Sequence, residues 1–364
     1  MRAAVCEARG GPVVLVDDLE VDEPRAGEVL VRVGHCGLCH SDVTVQHSSV
    51  SPHPVVLGHE ASGWVESVGE GVDHLAPGDP VVCTVAPACG HCYFCSRGRA
   101  SLCDQSIGAL LGTLPGGGTG FARRGAPVYR SIGVGAFTDY VVMPAGAVVA
   151  VPADTPLELA CLLGCGVGTG LGASLNTAGV TAGDSVVVFG LGGVGIAAVQ
   201  GARIAGATCI VGVDPVAERR ERAAAFGVTD VVDPSVGDVV RRVRSVTRVG
   251  ADHAIETAGR ADAMAMALDA VCSGGTVTLV GVPSGDSPYV IANPTYAILT
   301  EKRIQGCAYG SSHPHRDVPR YLAMARAGLL DLENMVTARR PLDEVSLAFE
   351  DLTAGRGLRT VIDL

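Results

Sequence analysis

"SVVVFGLGGVGIAAVQGARIAGATCIVGVD", residues 185–214, decides how the chain is read. Its first residues are β-branched and aromatic, as in a buried strand, and the run stops at Gly190. The pattern Gly190-x-Gly192-x-x-Gly195 follows, then a helix-compatible stretch, then a second strand-like run ending at Asp214. In that setting the first glycine allows a tight turn and the third permits close contact between helix and strand. The second lets backbone N–H groups approach a pyrophosphate at the helix N-terminus, with Gly193 and Val194 in the same expected contact. Asp214 stands 19 residues past Gly195 (214 − 195), the context that turns a glycine pattern into a dinucleotide site. Its carboxylate would accept hydrogen bonds from the adenosine ribose and repel a 2′-phosphate, so NAD is expected over NADP. Pro215 follows the acid, and Arg219 and Arg220 read as solvated helix residues.

The texture continues C-terminally. Strand-like "DVVD" (230–233), "ADHAIETAG" (251–259), "GTVTLVGVP" (275–283) and "RIQGCAYG" (303–310) alternate with helix-like "VAERRERAAAFG", "GDVVRRVRSVTR" and "ADAMAMALDAVC". Such alternation implies a doubly wound parallel sheet covered on both faces, an α/β class. Arg241, Arg242, Arg244 and Arg248 read as the wet face of one helix. Before residue 167 the pattern changes to short strands and turn dipeptides, as in "GEVLVRVGHCG" and "PGDPVVCTV", which suggests an antiparallel, barrel-like domain.

Composition excludes several classes. A chain of 364 residues is long enough for two cored domains. Its formal net charge of −11 would repel a nucleic-acid backbone. No apolar run reaches the ~18 residues of a membrane span, and the opening "MRAAVCEARGGPVVLVDD" lacks a cationic end followed by a long apolar core. A cytoplasmic protein without nucleic-acid or membrane partners is expected.

Thirteen cysteines, an odd number in such a chain, argue against a disulfide framework. In "CGHCYFCSRGRASLC" (89–103), Cys89, Cys92, Cys95 and Cys103 have the short gaps that let a loop turn its sulfurs inward around a tetrahedral Zn²⁺. Four protein ligands leave no open position, so this site is expected to be structural. A second set is scattered: Cys39 in "CGLCHSD", His59 in "VVLGHE" and Cys165 in "LLGCGVGTG". Singly, each also reads as an ordinary loop or core residue; together they are the three ligands of a catalytic zinc with an open fourth position.

In order along the chain, "GHE" (58–60), the four-cysteine lobe, "GCG" and "TG" (164–170) and a closing "LRT" (358–360) resemble the zinc-dependent medium-chain alcohol dehydrogenases, over essentially the whole length. The resemblance implies a β-rich GroES-like catalytic domain from residues 1–167 and 309–364, with the zinc lobe at 89–103. A Rossmann domain, 168–308, would be inserted, with the active site in the cleft between the two. It implies two Zn²⁺ per chain and NAD. Asp42 and Glu60 would be carboxylates behind the ligands, Ser41 the hydroxyl that takes the alcohol's proton, and Thr169, Val282 and Arg359 cofactor contacts. Zinc would activate the alcohol oxygen, hydride would pass to the nicotinamide, and an aldehyde or ketone would leave.

Departures from the family pattern set further expectations. His40 stands where many members place a pyrophosphate-gripping arginine, and Thr44 where animal members place a relay histidine, with His47 near enough in sequence to substitute. Small residues at the expected pocket wall, Val85, Gly108, Ser131 and Val282, predict bulky apolar primary or secondary alcohols as substrates. The thiol-adduct formaldehyde dehydrogenase branch is similar in layout, but its charged contacts fall near Ser49, Val50 and Ile107, which carry no charge. A member holding NAD tightly is a further alternative, and a non-enzyme zinc and nucleotide binder is disfavoured because every catalytic position is filled. The long segment from Cys103 to Cys165 resembles the dimeric branch, so a homodimer joined edge to edge through the Rossmann domains is expected.

Overall fold

In the computed structural model, which describes residues 1–106, 111–283 and 294–364, strand Ser185–Phe189 lies inside a six-stranded parallel sheet. The spatial order is Asp230–Val232, Cys209–Val213, Ser185–Phe189, Ala251–Glu256, Val271–Leu279, Arg303–Gly306. Val186, Val187 and Val188 are wholly buried, which is why this strand alternates no polar residues. Helix Gly193–Ile204 packs tightly because its residues are small: a Cβ on Gly195 would collide with the carbonyl of Gly190, and one on Gly201 with that of Leu171.

The chain packs as two units. One comprises Met1–Cys165, His313–Ala325 and Leu332–Leu364; the other comprises Gly166–Ser312 and Arg326–Asp331. The outgoing division thus falls at 165/166 rather than 167/168, and the return at 312/313 rather than 308/309. The segment 326–331 joins the parallel-sheet unit because the Gln200 amide bonds the Asp331 backbone at both ends (2.8 and 3.2 Å) and Arg203 donates to the Leu329 carbonyl (2.6 Å).

In the first unit, the eleven-residue strand Glu28–Leu38 is flanked by antiparallel Glu60–Val68 and Arg359–Asp363, and Tyr140–Pro144 also pairs with it. Its alternating valines enter a core with Val65, Val81, Phe137 and Ile362. A smaller sheet holds Ala3–Cys6, Val13–Val16, Val55–Val56 and Tyr129–Arg130. Among the described residues no single helix is long and apolar enough to cross a membrane.

Glu256, closing its strand in the parallel sheet, is wholly buried. Its Oε1 accepts from the Ala258 amide (2.9 Å), whereas Oε2 has no hydrogen-bond partner. Burial pushes the carboxyl up from 4.5 to about 7. Between those values the fold keeps a proton that the unfolded chain has lost, so stability declines as pH rises through this window. Glu256→Gln is therefore expected to stabilise by under about 1 kcal/mol at pH 5 and by about 3 kcal/mol at pH 8. Urea midpoints at the two pH values measure this, and an equal effect at both would contradict the assignment.

Candidate functional site

Strand Glu28–Leu38 delivers Cys39 to the N-cap of helix His40–His47. Asp42, in the first turn of that helix, is wholly buried and accepts four hydrogen bonds. Oδ2 takes the Cys39 amide (3.2 Å); Oδ1 takes the Gly58 amide (2.9 Å), His59 Nδ1 (2.9 Å) and the Ser131 hydroxyl (3.2 Å). His59 is also wholly buried, and its Nε2 has no hydrogen-bond partner. Burial presses the imidazole down, but the Asp42 charge and hydrogen bond and the neighbouring Cys39 outweigh it and hold the ring at about 10. The Cys39 thiol is drawn well below its ordinary value by a hydrogen bond with Cys165 and, against the cost of burial, by His59. Two thiols and an imidazole with a bare nitrogen therefore meet in one buried place, a donor set that suits a borderline divalent ion.

Glu60 belongs to the same place. A carboxylate oxygen of Glu60, Cys39 Sγ and a ring nitrogen of His59 lie within 4.8 Å of one another, so Glu60 stands nearer the ligands than the carboxylate expected behind them. Strand register puts it there: Gly37 lies opposite Glu60 and Leu38 opposite Thr360, so Arg359 arrives alongside and its guanidinium pairs with the Glu60 carboxylate. Gly37 is required, because a Cβ would run into that carboxylate. Arg359, expected as a cofactor contact, is thus first the counter-ion of a buried acid, and its Nε has no hydrogen-bond partner.

In the lobe 89–103, the four sulfurs of Cys89, Cys92, Cys95 and Cys103 all lie within 4.8 Å of one another. Left-handed turns at Gly90 (φ +81°) and Gly98 (φ +73°) reverse the chain between ligands. The Cys95 amide donates to Cys92 Sγ and the Cys89 amide to Cys103 Sγ, each at 3.4 Å. Amide hydrogen bonds, led by that of Cys95, hold the Cys92 thiol down at about 6. None of the thirteen cysteines forms a disulfide.

In the other unit, Gly190 has φ +90° and its amide donates to the Val213 carbonyl (2.8 Å). A Cβ on Gly192, the N-cap of the following helix, would meet nothing, which leaves the helix N-terminus with Gly193 and Val194 open to a ligand. Asp214 is 2% exposed; its Oδ2 accepts from the Leu191 amide and its Oδ1 from the Val216 amide, both at 2.8 Å. Arg219 and Arg220 do not lie on a solvated face. Arg219 approaches Asp214 at 3.8 Å, and Arg220 bonds Asp233 (2.8 Å) and the Asp214 carbonyl (2.6 Å).

The remaining expected residues divide. Ser41 is half-buried with Oγ 3.7 Å from Cys39 Sγ. His40 and Thr44 are exposed, and the Thr44 hydroxyl is spent on the His40 carbonyl (3.3 Å). His47 is exposed and its Nδ1 bonds the Val43 carbonyl (3.0 Å). Six residues past Ser41 on one helix it points about 120° away, which disfavours it as relay. Val85 is half-buried beside a small cavity with Thr84, Gln105, Ser106, Ile132 and Met143. Ser131 is not a wall residue: it is wholly buried with its hydroxyl on Asp42. Val282 is 71% exposed, so its side chain walls no pocket in its own unit. Thr169 is half-buried in helix Gly166–Gly172, and Ser49 and Val50 are exposed. Gly108 and Ile107 lie outside the described residues. Sequence reasoning missed the Ser131 contact and the Arg359–Glu60 pair. Only the glycine at 37, small where a strand should carry a side chain, hinted at the latter.

Removing Arg359 withdraws the guanidinium paired with a wholly buried carboxylate. Arg359→Met is expected to cost about 3 kcal/mol in urea unfolding, with Glu60→Gln in the same chain recovering most of it; a loss unrelieved by the second substitution would refute the pairing.

Comparison with known proteins agrees with this arrangement. Residues 25–153 match the alcohol dehydrogenase GroES-like domain and residues 193–327 the zinc-binding dehydrogenase domain. The chain is 39% identical to an NDMA-dependent alcohol dehydrogenase of Amycolatopsis methanolica over 365 aligned positions, covering 99% of this chain and 98% of that protein. It is also 39% identical to alcohol dehydrogenase 1 of Pisum sativum, across 100% and 97%. Among solved structures, benzyl alcohol dehydrogenase from Acinetobacter calcoaceticus superimposes with a TM-score of 0.93 at 32% identity, covering 100% of this chain and 99% of that one. Matches spanning both chains almost end to end carry the whole two-domain arrangement with them, and the chain belongs to the zinc-dependent medium-chain alcohol dehydrogenases.

Proposed function

We propose that the chain oxidises a bulky, largely apolar alcohol to its aldehyde or ketone with NAD, holding one zinc at Cys39, His59 and Cys165 and another at Cys89, Cys92, Cys95 and Cys103. The observation that carries this reading is His59, buried with Nδ1 taken by Asp42 and Nε2 bare beside two cysteines. A buried polar nitrogen left unpaired is costly unless something occupies it. When bound, the first ion supplies Lewis acidity to the alcohol oxygen, and the nicotinamide accepts the hydride.

The chain's own residues do the rest. Asp42 fixes which nitrogen of His59 faces the ligand site, and Ser41 Oγ would accept the alcohol's proton while passing its own hydroxyl proton on toward the cofactor's ribose hydroxyls and water. Glu60 places a second negative charge in the centre, held by Arg359. Gly192 leaves room for the pyrophosphate, Asp214 takes the adenosine ribose, and Thr169 is assigned to the nicotinamide. Four thiols close the second site and leave it a structural role. The free cysteines support a reducing, cytoplasmic setting.

The relative named for benzyl alcohol, together with valine at position 85, supports an aromatic or long-chain substrate. A small alcohol would forgo ~0.8 kcal/mol for each methylene left unburied. A tightly held NAD, turned over with an artificial acceptor, is the second reading, favoured by the resemblance to the NDMA-dependent enzyme. A homodimer is supported by strand Arg303–Gly306, which ends the sheet among the described residues, beside exposed Ile298, Leu299 and Ile304.

Metal analysis of the purified protein is expected to return two zinc ions per chain. kcat/KM is expected to rank cinnamyl and benzyl alcohol above ethanol and NAD above NADP, with Asp214→Ser narrowing the cofactor preference. A single zinc, a best value for ethanol, or NADP equal to NAD would each overturn the corresponding part. NAD that co-purifies, with turnover only on an artificial acceptor, would establish the second reading. Light scattering is expected to give the mass of a dimer; a tetramer would refute that assembly.

A further inference from the structure

We propose that Ser131 is a positioning residue of the catalytic metal centre: its hydroxyl fixes Asp42, and through Asp42 the ring of His59, in the orientation that retains the ion. The inference rests on the zinc reading above and assigns to it a residue outside the ligand loops. Ser131 Oγ lies 3.2 Å from Asp42 Oδ1, the oxygen that also receives the Gly58 amide and His59 Nδ1. Both partners are wholly buried, so no solvent competes for the bond.

The hydroxyl is delivered from 89 residues away by a rigid mount. The Ser131 carbonyl accepts the amides of Val134 (2.9 Å) and Gly135 (3.1 Å). The preceding Arg130, also buried, anchors the same turn through the carbonyls of Val134 (2.9 Å) and Val142 (2.6 Å). Cys39, Gly58 and His59 sit at one helix start and one adjoining turn; Ser131 reaches Asp42 from a third segment, which is itself fastened to that turn by the pairing of Arg130 with Val56 and by the Ala136 amide on the Gly58 carbonyl (2.8 Å). Losing an outer partner of a metal-bound histidine typically costs about 10–100-fold in metal affinity.

The test uses both ions of one chain. Zinc release to a chelator is followed in the zinc-loaded protein, with His59→Ala identifying which phase belongs to which site. Ser131→Ala is expected to speed release from the Cys39/His59/Cys165 site by about tenfold and to leave the four-cysteine site unchanged. Ser131→Thr, which keeps the hydroxyl, is expected to restore slow release. Equal acceleration at both sites, no acceleration, or failure of threonine to rescue would overturn the role of Ser131 while leaving the zinc reading intact. A parent chain that holds only one ion would overturn both.

Discussion

A single buried carboxylate organises the first unit. Asp42 accepts the amide at a helix start, the amide of a turn, an imidazole and a hydroxyl from a distant segment, and so joins three pieces of chain. Four donors satisfy a carboxylate at this depth, where an unpaired polar group would be costly. In return the carboxylate holds Nδ1 of His59 and so aims its other nitrogen. The strands around it can be seen as a mount for this carboxylate: Gly37, the register of Glu60 against it, and the return of Arg359 all lie within a few residues of Cys39 and His59 in the same sheet.

Much of this was legible in the sequence because it depends on glycine and on ligand spacing. The run at 185–214 carries its own geometry: a residue at φ +90°, a bare N-cap and a helix that could not pack with larger residues. The parallel pairing of the strands follows from alternation, though not their order, and the four-cysteine lobe from gaps that permit one compact loop. What was hidden depends on direction rather than identity. Position 131 falls where a pocket wall was expected, and only its backbone turn sends the hydroxyl inward to Asp42. Likewise nothing in "ERRER" tells which arginines fold back onto acids, because Arg219 and Arg220 reach Asp214 and Asp233 across the strand end rather than along their own helix. His47 was suggested by nearness in sequence alone, and its ring is spent on the Val43 carbonyl of its own helix.

The two candidate ion sites differ in how they are built. The lobe at 89–103 takes all its donors from fifteen consecutive positions (103 − 89 + 1) and relies on backbone amides to steady its sulfurs. The other draws on Cys39, His59 and Cys165, far apart in the chain, and needs a packed sheet to bring them together. A local loop can close around an ion before the rest of the domain is formed; the dispersed set exists only in the finished core.

That contrast bears on when each site can mature during protein synthesis. The cation that balances Glu60 comes from Arg359, 299 residues later. At about 5–20 residues per second, translation of that interval takes roughly 15–60 s. Throughout it the nascent sheet lacks strand Arg359–Asp363, and until late in it strand Val336–Pro341 as well, and the acid at its heart has no guanidinium. The cysteine lobe has all four of its sulfurs early in this period, while the dispersed site stays immature until the C-terminal strand Arg359–Asp363 docks beside Glu28–Leu38. The chain thereby delays its reactive centre until its architecture is closed, a timing set by strand order alone.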